Sequence, residues 1–180
     1  MEGLPEVLKI TDLKMGRQVF ILLIQAVLTV TVSGQLCIDR NIQTVGRVVF
    51  GEARGESMKG QLAVAYTIVN RINHEGYPNN LSAVVNQKTE SGGFQYETLD
   101  LASHTQAWNN AERTNTLEYR NAIQASGDVL CRRKVDPTGC ATDYCAFDPC
   151  HATDSNQWWT ATSKMQIGNH FFVCRVPATG

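Results

Sequence analysis

The chain has no excess of either charge: 16 lysines and arginines stand against 17 aspartates and glutamates, a net charge of −1. That balance lacks the basic footprint by which nucleic acid is held, so no nucleic-acid partner is expected. Internal repeats and low-complexity stretches are also missing, which excludes a solenoid and leaves one compact unit. Close C-x2-C pairs are absent, and His74, His104 and His151 show no metal-ligand spacing, so no metal is expected and no cofactor is implied. The longest apolar run, Val19 to Val32, is interrupted by Gln25 and two threonines. It falls short of the ~20 residues that cross a bilayer, so no stable membrane anchor is expected.

What that run does fit is a leader. Met15-Gly16-Arg17 supplies a basic start, Val19 to Val32 an apolar segment of signal-peptide length, and Val32-Ser33-Gly34 small residues suited to cleavage. Residues 1–34 are therefore expected to be removed, and residues 35–180 to form a secreted, extracellular domain that works as a monomer. Met1 to Lys14 has no apolar run, so it is either a long stretch preceding the apolar segment of the leader or Met15 is the true start. All six cysteines (Cys37, Cys131, Cys140, Cys145, Cys150 and Cys174) follow the cleavage point. In an exported domain an even count reads as three disulfides, with every pairing open. A zinc site of Cys140, Cys145, Cys150 and His151 is the weaker alternative. Asn80-Leu81-Ser82 is a formal glycosylation sequon.

Three helices follow from periodicity, from about Asp39, a plausible N-cap, to Phe50 or Glu52, from Ser57 to Asn73, and from about Thr116 to Leu130. In the second, Met58, Leu62, Ala65, Tyr66, Val69 and Ile72 mark the expected buried face. In the third, Tyr119, Ala122, Ile123, Ser126, Val129 and Leu130 do so. Residues 86–115 are polar, with glycines and aromatics, as in a surface loop or lobe lining a cleft. After Pro137 and Gly139, the turn signal Gly168-Asn169 precedes a strand-like run from His170 to Val176. The class is α+β: mainly helical, with a small β element and disulfide staples. Trp158-Trp159 is read as packing.

The stretch Val49-Phe50-Gly51-Glu52-Ala53-Arg54-Gly55-Glu56-Ser57 contains the most informative carboxylates. Ile42, Val45 and Val49 occur at helical spacing, and three residues further on the same stripe reaches Glu52. A carboxyl pressed against apolar neighbours at the negative end of a helix has its charged form disfavoured and its pKa raised. Those are the conditions of a general acid that stays protonated near neutrality. Gly51 and Gly55 read as points of close approach. The plain alternative is a solvated helix end in which Arg54 balances both glutamates.

The segment from Val45 through Glu52 and Glu56 to Ser57, followed by Gly60-Gln61-Leu62-Ala63-Val64-Ala65 and Val69-Asn70-Arg71, resembles the signature of the bacterial cell-wall hydrolases typified by spore cortex-lytic enzymes. Asp136-Pro137-Thr138-Gly139 and Ile167-Gly168-Asn169-His170-Phe171-Phe172 match in the same order. The resemblance spans roughly residues 44–173. It implies a lysozyme-like fold acting on the glycan strands of peptidoglycan, often as a lytic transglycosylase, with the catalytic glutamate at Glu52. Glu56 and Arg54 are then supporting residues. Phe94, Gln95, Tyr144, Phe147 and His170 are candidates for sugar contacts. Glu97, Asp100 and Asp148 remain open as second carboxylates.

Two departures from the family pattern stand out. Phe50 replaces a common tyrosine and so removes a hydroxyl, and Cys140 stands where glycine is frequent, opening a cysteine-rich stretch to Cys150. The main expectation is a peptidoglycan-degrading glycosidase that cleaves between N-acetylmuramic acid and N-acetylglucosamine. The transglycosylase route comes first and the hydrolase second. The alternatives are a glycan-binding or defence module that has lost turnover, and a disulfide-rich structural protein.

Overall fold

A computed structural model describes residues 36–148, 150 and 163–175. The leader, His151 and Trp158-Trp159 lie outside them. Among the described residues five helices come first: α1 Asp39–Ala53, α2 Met58–Ile72, the short α3 Leu81–Val85, α4 Ala102–Thr114 and α5 Leu117–Leu130, with a 3₁₀ turn at Glu97–Leu99 before α4. Three strands follow: β1 Asp143–Cys145, β2 Lys164–Ile167 and β3 His170–Val173. They form one antiparallel sheet in the order β1-β3-β2, with Tyr144 opposite Phe172 and Ile167 opposite His170. The expected α+β class holds. No helix among the described residues is long and apolar enough to cross a membrane.

Side-chain chemistry sets the helix starts. Ser57 Oγ accepts the Gly60 amide at 3.4 Å and Thr116 Oγ1 accepts the Tyr119 amide at 3.3 Å, each satisfying an amide with no partner inside the helix. Asp39 is the first residue of α1 rather than its cap, which falls on Ile38 without a side-chain bond. Asn80, in the sequon, caps α3 through Oδ1. Val45, Val48 and Val49 of α1, Ala63, Val64 and Ile68 of α2, and Ala122, Ala125 and Val129 of α5 are buried together as the core. Each buried valine or isoleucine contributes roughly 1.5–3 kcal/mol of transfer free energy.

Two expectations need correction. The polar stretch 86–115 is not all loop, since α4 occupies its second half. Only Trp108 and Ala111 of α4 are buried, so its composition resembles surface. The buried face of α2 is also wider than its apolar stripe. Met58, Leu62, Tyr66, Val69 and Ile72 are only partly covered, whereas Gln61, Thr67 and Arg71 are buried. These polar groups tolerate burial because they bond internal carbonyls: Gln61 to Glu56, Thr67 to Val64 and Arg71 to Thr142.

All six cysteines are paired, as Cys37–Cys131, Cys140–Cys174 and Cys145–Cys150, which leaves none for the zinc alternative. The Gly168–Asn169 turn joins β2 to β3 as expected, with Gly168 at φ 61°.

Candidate active site

Glu52 lies in the last turn of α1, half-buried, at the wall of a cleft of about 390 Å³. The Thr98 amide of the 3₁₀ turn donates to its Oε1 at 3.2 Å. This approach depends on Gly51, because a Cβ there would stand 1.6 Å from Thr98 Oγ1. Burial raises the pKa of Glu52, and the charge of Glu97 adds to the rise. The Thr98 amide and the Tyr144 hydroxyl, both donating to the carboxylate, work against it. His104, which shows no metal-ligand spacing in the sequence, pairs through Nδ1 with Thr98 Oγ1 at 3.0 Å and so steadies the turn that serves Glu52.

The facing wall is β1. Burial, then the negative charge of Glu52, pushes the Tyr144 phenol well above its usual range, so it remains a donor. Beneath this strand lies the buried Arg71 of α2. Its Nε donates to the Thr142 carbonyl at 2.6 Å and its Nη2 faces Asp143 Oδ1 at 3.4 Å. Its guanidinium stacks 5.0 Å from the Tyr77 ring and 5.2 Å from the Tyr96 ring. Asp143 also accepts from Tyr77 and Thr142, each at 2.7 Å. Arg71, Tyr96 and Asp143 line the cleft but were not singled out from sequence as site residues.

The model of the Cell Wall Hydrolase family matches residues 55–173. This chain belongs to that family. A spore cortex-lytic enzyme of Halalkalibacterium halodurans is 32% identical over 134 residues, covering 74% of this chain and 34% of the relative. The Bacillus subtilis spore cortex-lytic enzyme is 40% identical over 134 residues, covering 74% and 37%. The chain thus spans about a third of the length of these curated relatives. Among solved structures, the catalytic domain of the germination-specific lytic transglycosylase SleB from Bacillus anthracis aligns with a TM-score of 0.50. The identity is 28%, over 76% of this chain and 95% of that one. The family match begins three residues after Glu52, so the reading of Glu52 rests on the geometry of its cleft.

In this member of the family, Gln95, Tyr144, Phe147 and His170 line the same cleft as Glu52. Phe94 does not: its ring sits under the Lys88 ammonium, 3.0 Å from the centroid, and its amide bonds Asp100. Glu56 reaches the β2–β3 turn rather than Arg54. Its carboxylate accepts from the Asn169 backbone amide at 3.2 Å and side-chain amide at 2.9 Å, and stands 3.7 Å from His170 Nδ1. It thereby clasps the β2–β3 turn, where a Cβ on Gly168 would meet Glu56 Oε2 at 1.8 Å. His170 in turn meets Tyr144 edge to face at 5.4 Å. Burial lowers the His170 pKa while Glu56 pulls it upward.

Arg54 is turned away from the cleft, with its guanidinium 5.1 Å from the Phe50 ring centroid. Phe50 packs against Trp108 at 5.6 Å and does not line the cleft, so the missing hydroxyl there is no loss to the acid. Gly55 has open space where its Cβ would lie, so it is not a point of close approach. Among the other acids, Glu97 lines the cleft and Asp148 pairs with Lys164.

Proposed function

We propose that this chain is a secreted, monomeric peptidoglycan-cleaving glycosidase that acts principally as a lytic transglycosylase, with Glu52 as acid and then base. One observation carries the reading: a single carboxyl, withdrawn from water in an open cleft, has its pKa raised by burial and its orientation set by two hydrogen-bond donors. Glu52 protonates the glycosidic oxygen between N-acetylmuramic acid and N-acetylglucosamine as the C1–O bond breaks and oxocarbenium character develops. The muramic 6-hydroxyl then bonds to C1, and its proton returns to Glu52. The sequence needs no covalent partner carboxylate, and the raised pKa favours the form that starts it.

Cleavage after Gly34 and action outside the cell are supported by the apolar run of the leader and by three disulfides, which persist in oxidising compartments. The test is Glu52→Gln in purified protein. Release of soluble fragments from peptidoglycan is expected to fall by about 10²–10⁴-fold, the usual contribution of a positioned acid. Wild-type release by the variant would remove Glu52 from this role. Anhydro-muramic ends among the wild-type products, weighed by mass spectrometry, are the expected mark of the transglycosylase route.

A further inference from the structure

The acids near the cleft differ in what already holds them. Asp143 is held by Arg71, Tyr77 and Thr142. Glu56 is held by Asn169, and Asp100 accepts from the Phe94 amide and faces Lys88. Glu97 stands apart from these. It is exposed, it lines the cleft with Glu52, and among the described residues its carboxylate has no hydrogen-bond or ion-pair partner.

The peptide that serves Glu52 also places Glu97. The Thr98 amide that donates to Glu52 Oε1 at 3.2 Å is joined directly to the carbonyl carbon of Glu97. From the next residue's amide nitrogen a glutamate carboxyl carbon reaches about 6 Å at most, so the two carboxyl groups lie no more than about 10 Å apart. Inverting glycosidases keep acid and base roughly 6.5–9.5 Å apart so that a water fits between them, a spacing this reach allows. A carboxylic acid withdrawn from water, beside a carboxylate open to it, is the arrangement that divides acid from base.

Resting on the glycosidase reading of Glu52, we propose that Glu97 is the base that activates water in this cleft, giving the enzyme a hydrolytic exit beside the transglycosylase one. In this branch Glu52 gives its proton to the leaving 4-oxygen of N-acetylglucosamine as the C1–O bond breaks. Water bonds through its oxygen to C1 while Glu97 takes one of its protons. The products are a free 4-hydroxyl and a reducing muramic end. Glu52 is left ionised and Glu97 protonated, and proton exchange through solvent restores both.

The experiment compares wild type, Glu97→Gln, Glu97→Asp and Glu52→Gln on isolated peptidoglycan, with products weighed by mass spectrometry and folding checked by circular dichroism. Wild type is expected to give both reducing and anhydro-muramic ends. In Glu97→Gln the ratio of reducing to anhydro ends is expected to fall at least tenfold, and Glu97→Asp to recover part of it. An unchanged ratio in Glu97→Gln, or wild-type products with anhydro ends alone, would overturn the proposal and leave Glu52's role standing. Failure of the underlying reading has another signature: Glu52→Gln releases both products at the wild-type rate.

Discussion

Replacing Gly51 by alanine tests how the acid is held. On helix propensity alone the change stabilises α1 by about 1 kcal/mol. Packing reverses the sign, because the new Cβ would lie 1.6 Å from Thr98 Oγ1, 2.8 Å from Cγ2 and 2.3 Å from Cβ. Rotating the Thr98 side chain moves the first two atoms and leaves the third in place. Carbon atoms settle at roughly 3.5–4.0 Å, so the backbone of the 3₁₀ turn must retreat by more than about 1 Å. The Thr98–Glu52 bond, now 3.2 Å, then opens beyond hydrogen-bond range. A bond to a charged group contributes about 1.5–3 kcal/mol, and a shift of about 1 Å near reacting groups lowers turnover by about 10²-fold. Gly51→Ala is thus expected to lower both kcat on peptidoglycan and the melting temperature. Adding Thr98→Gly, which removes all three clashing atoms, is expected to restore part of the activity. A Gly51→Ala protein that melts higher and turns over at the wild-type rate would refute the argument.

Two further outcomes follow from the geometry. Glu52 acts when protonated, so the rate falls as pH rises through its raised pKa. Tyr144→Phe removes a donor that favours the ionised form, so the alkaline limb of kcat/KM should move to higher pH while the rate drops; a downward move counts against the assigned bond. The disulfides should rank by the loops they close, 94 residues for Cys37–Cys131 and 5 for Cys145–Cys150. In the chain-entropy account these contribute about 4.7 and about 2 kcal/mol. Denaturant melts of the paired Cys→Ser variants should show that order, and the reverse would point to native-state strain instead.

Much of this site is legible in the sequence because local rules place it. The stripe Ile42, Val45, Val49 leads to Glu52, and the helix carries it there. The apolar stripe of α5 and the Gly168-Asn169 turn are equally local. What escaped depends on residues distant along the chain. Arg71 is a buried cation only because Thr142 and Asp143 arrive from 71 and 72 residues away. Nothing within α2 announces that. The signal was present in another form: Asn70 and Asp136 belong to separate motif blocks, and the structure joins them at 2.8 Å. Helix α4 escaped because a helix with two buried side chains has little apolar periodicity to read.

The disulfide pairing divides the covalent chain into two rings. One, closed by Cys37–Cys131, contains helices α1 to α5 and Glu52. The other, closed by Cys140–Cys174, contains all three strands, Tyr144 and the smaller Cys145–Cys150 loop. No crosslink joins the rings, and only the backbone of residues 132–139 runs from one to the other. The cleft lies on that seam, spanned by the Glu52–Tyr144, Glu56–Asn169 and Arg71–Thr142 contacts. Each half is braced within itself, and the width of the gap between them is left to weak, reversible bonds.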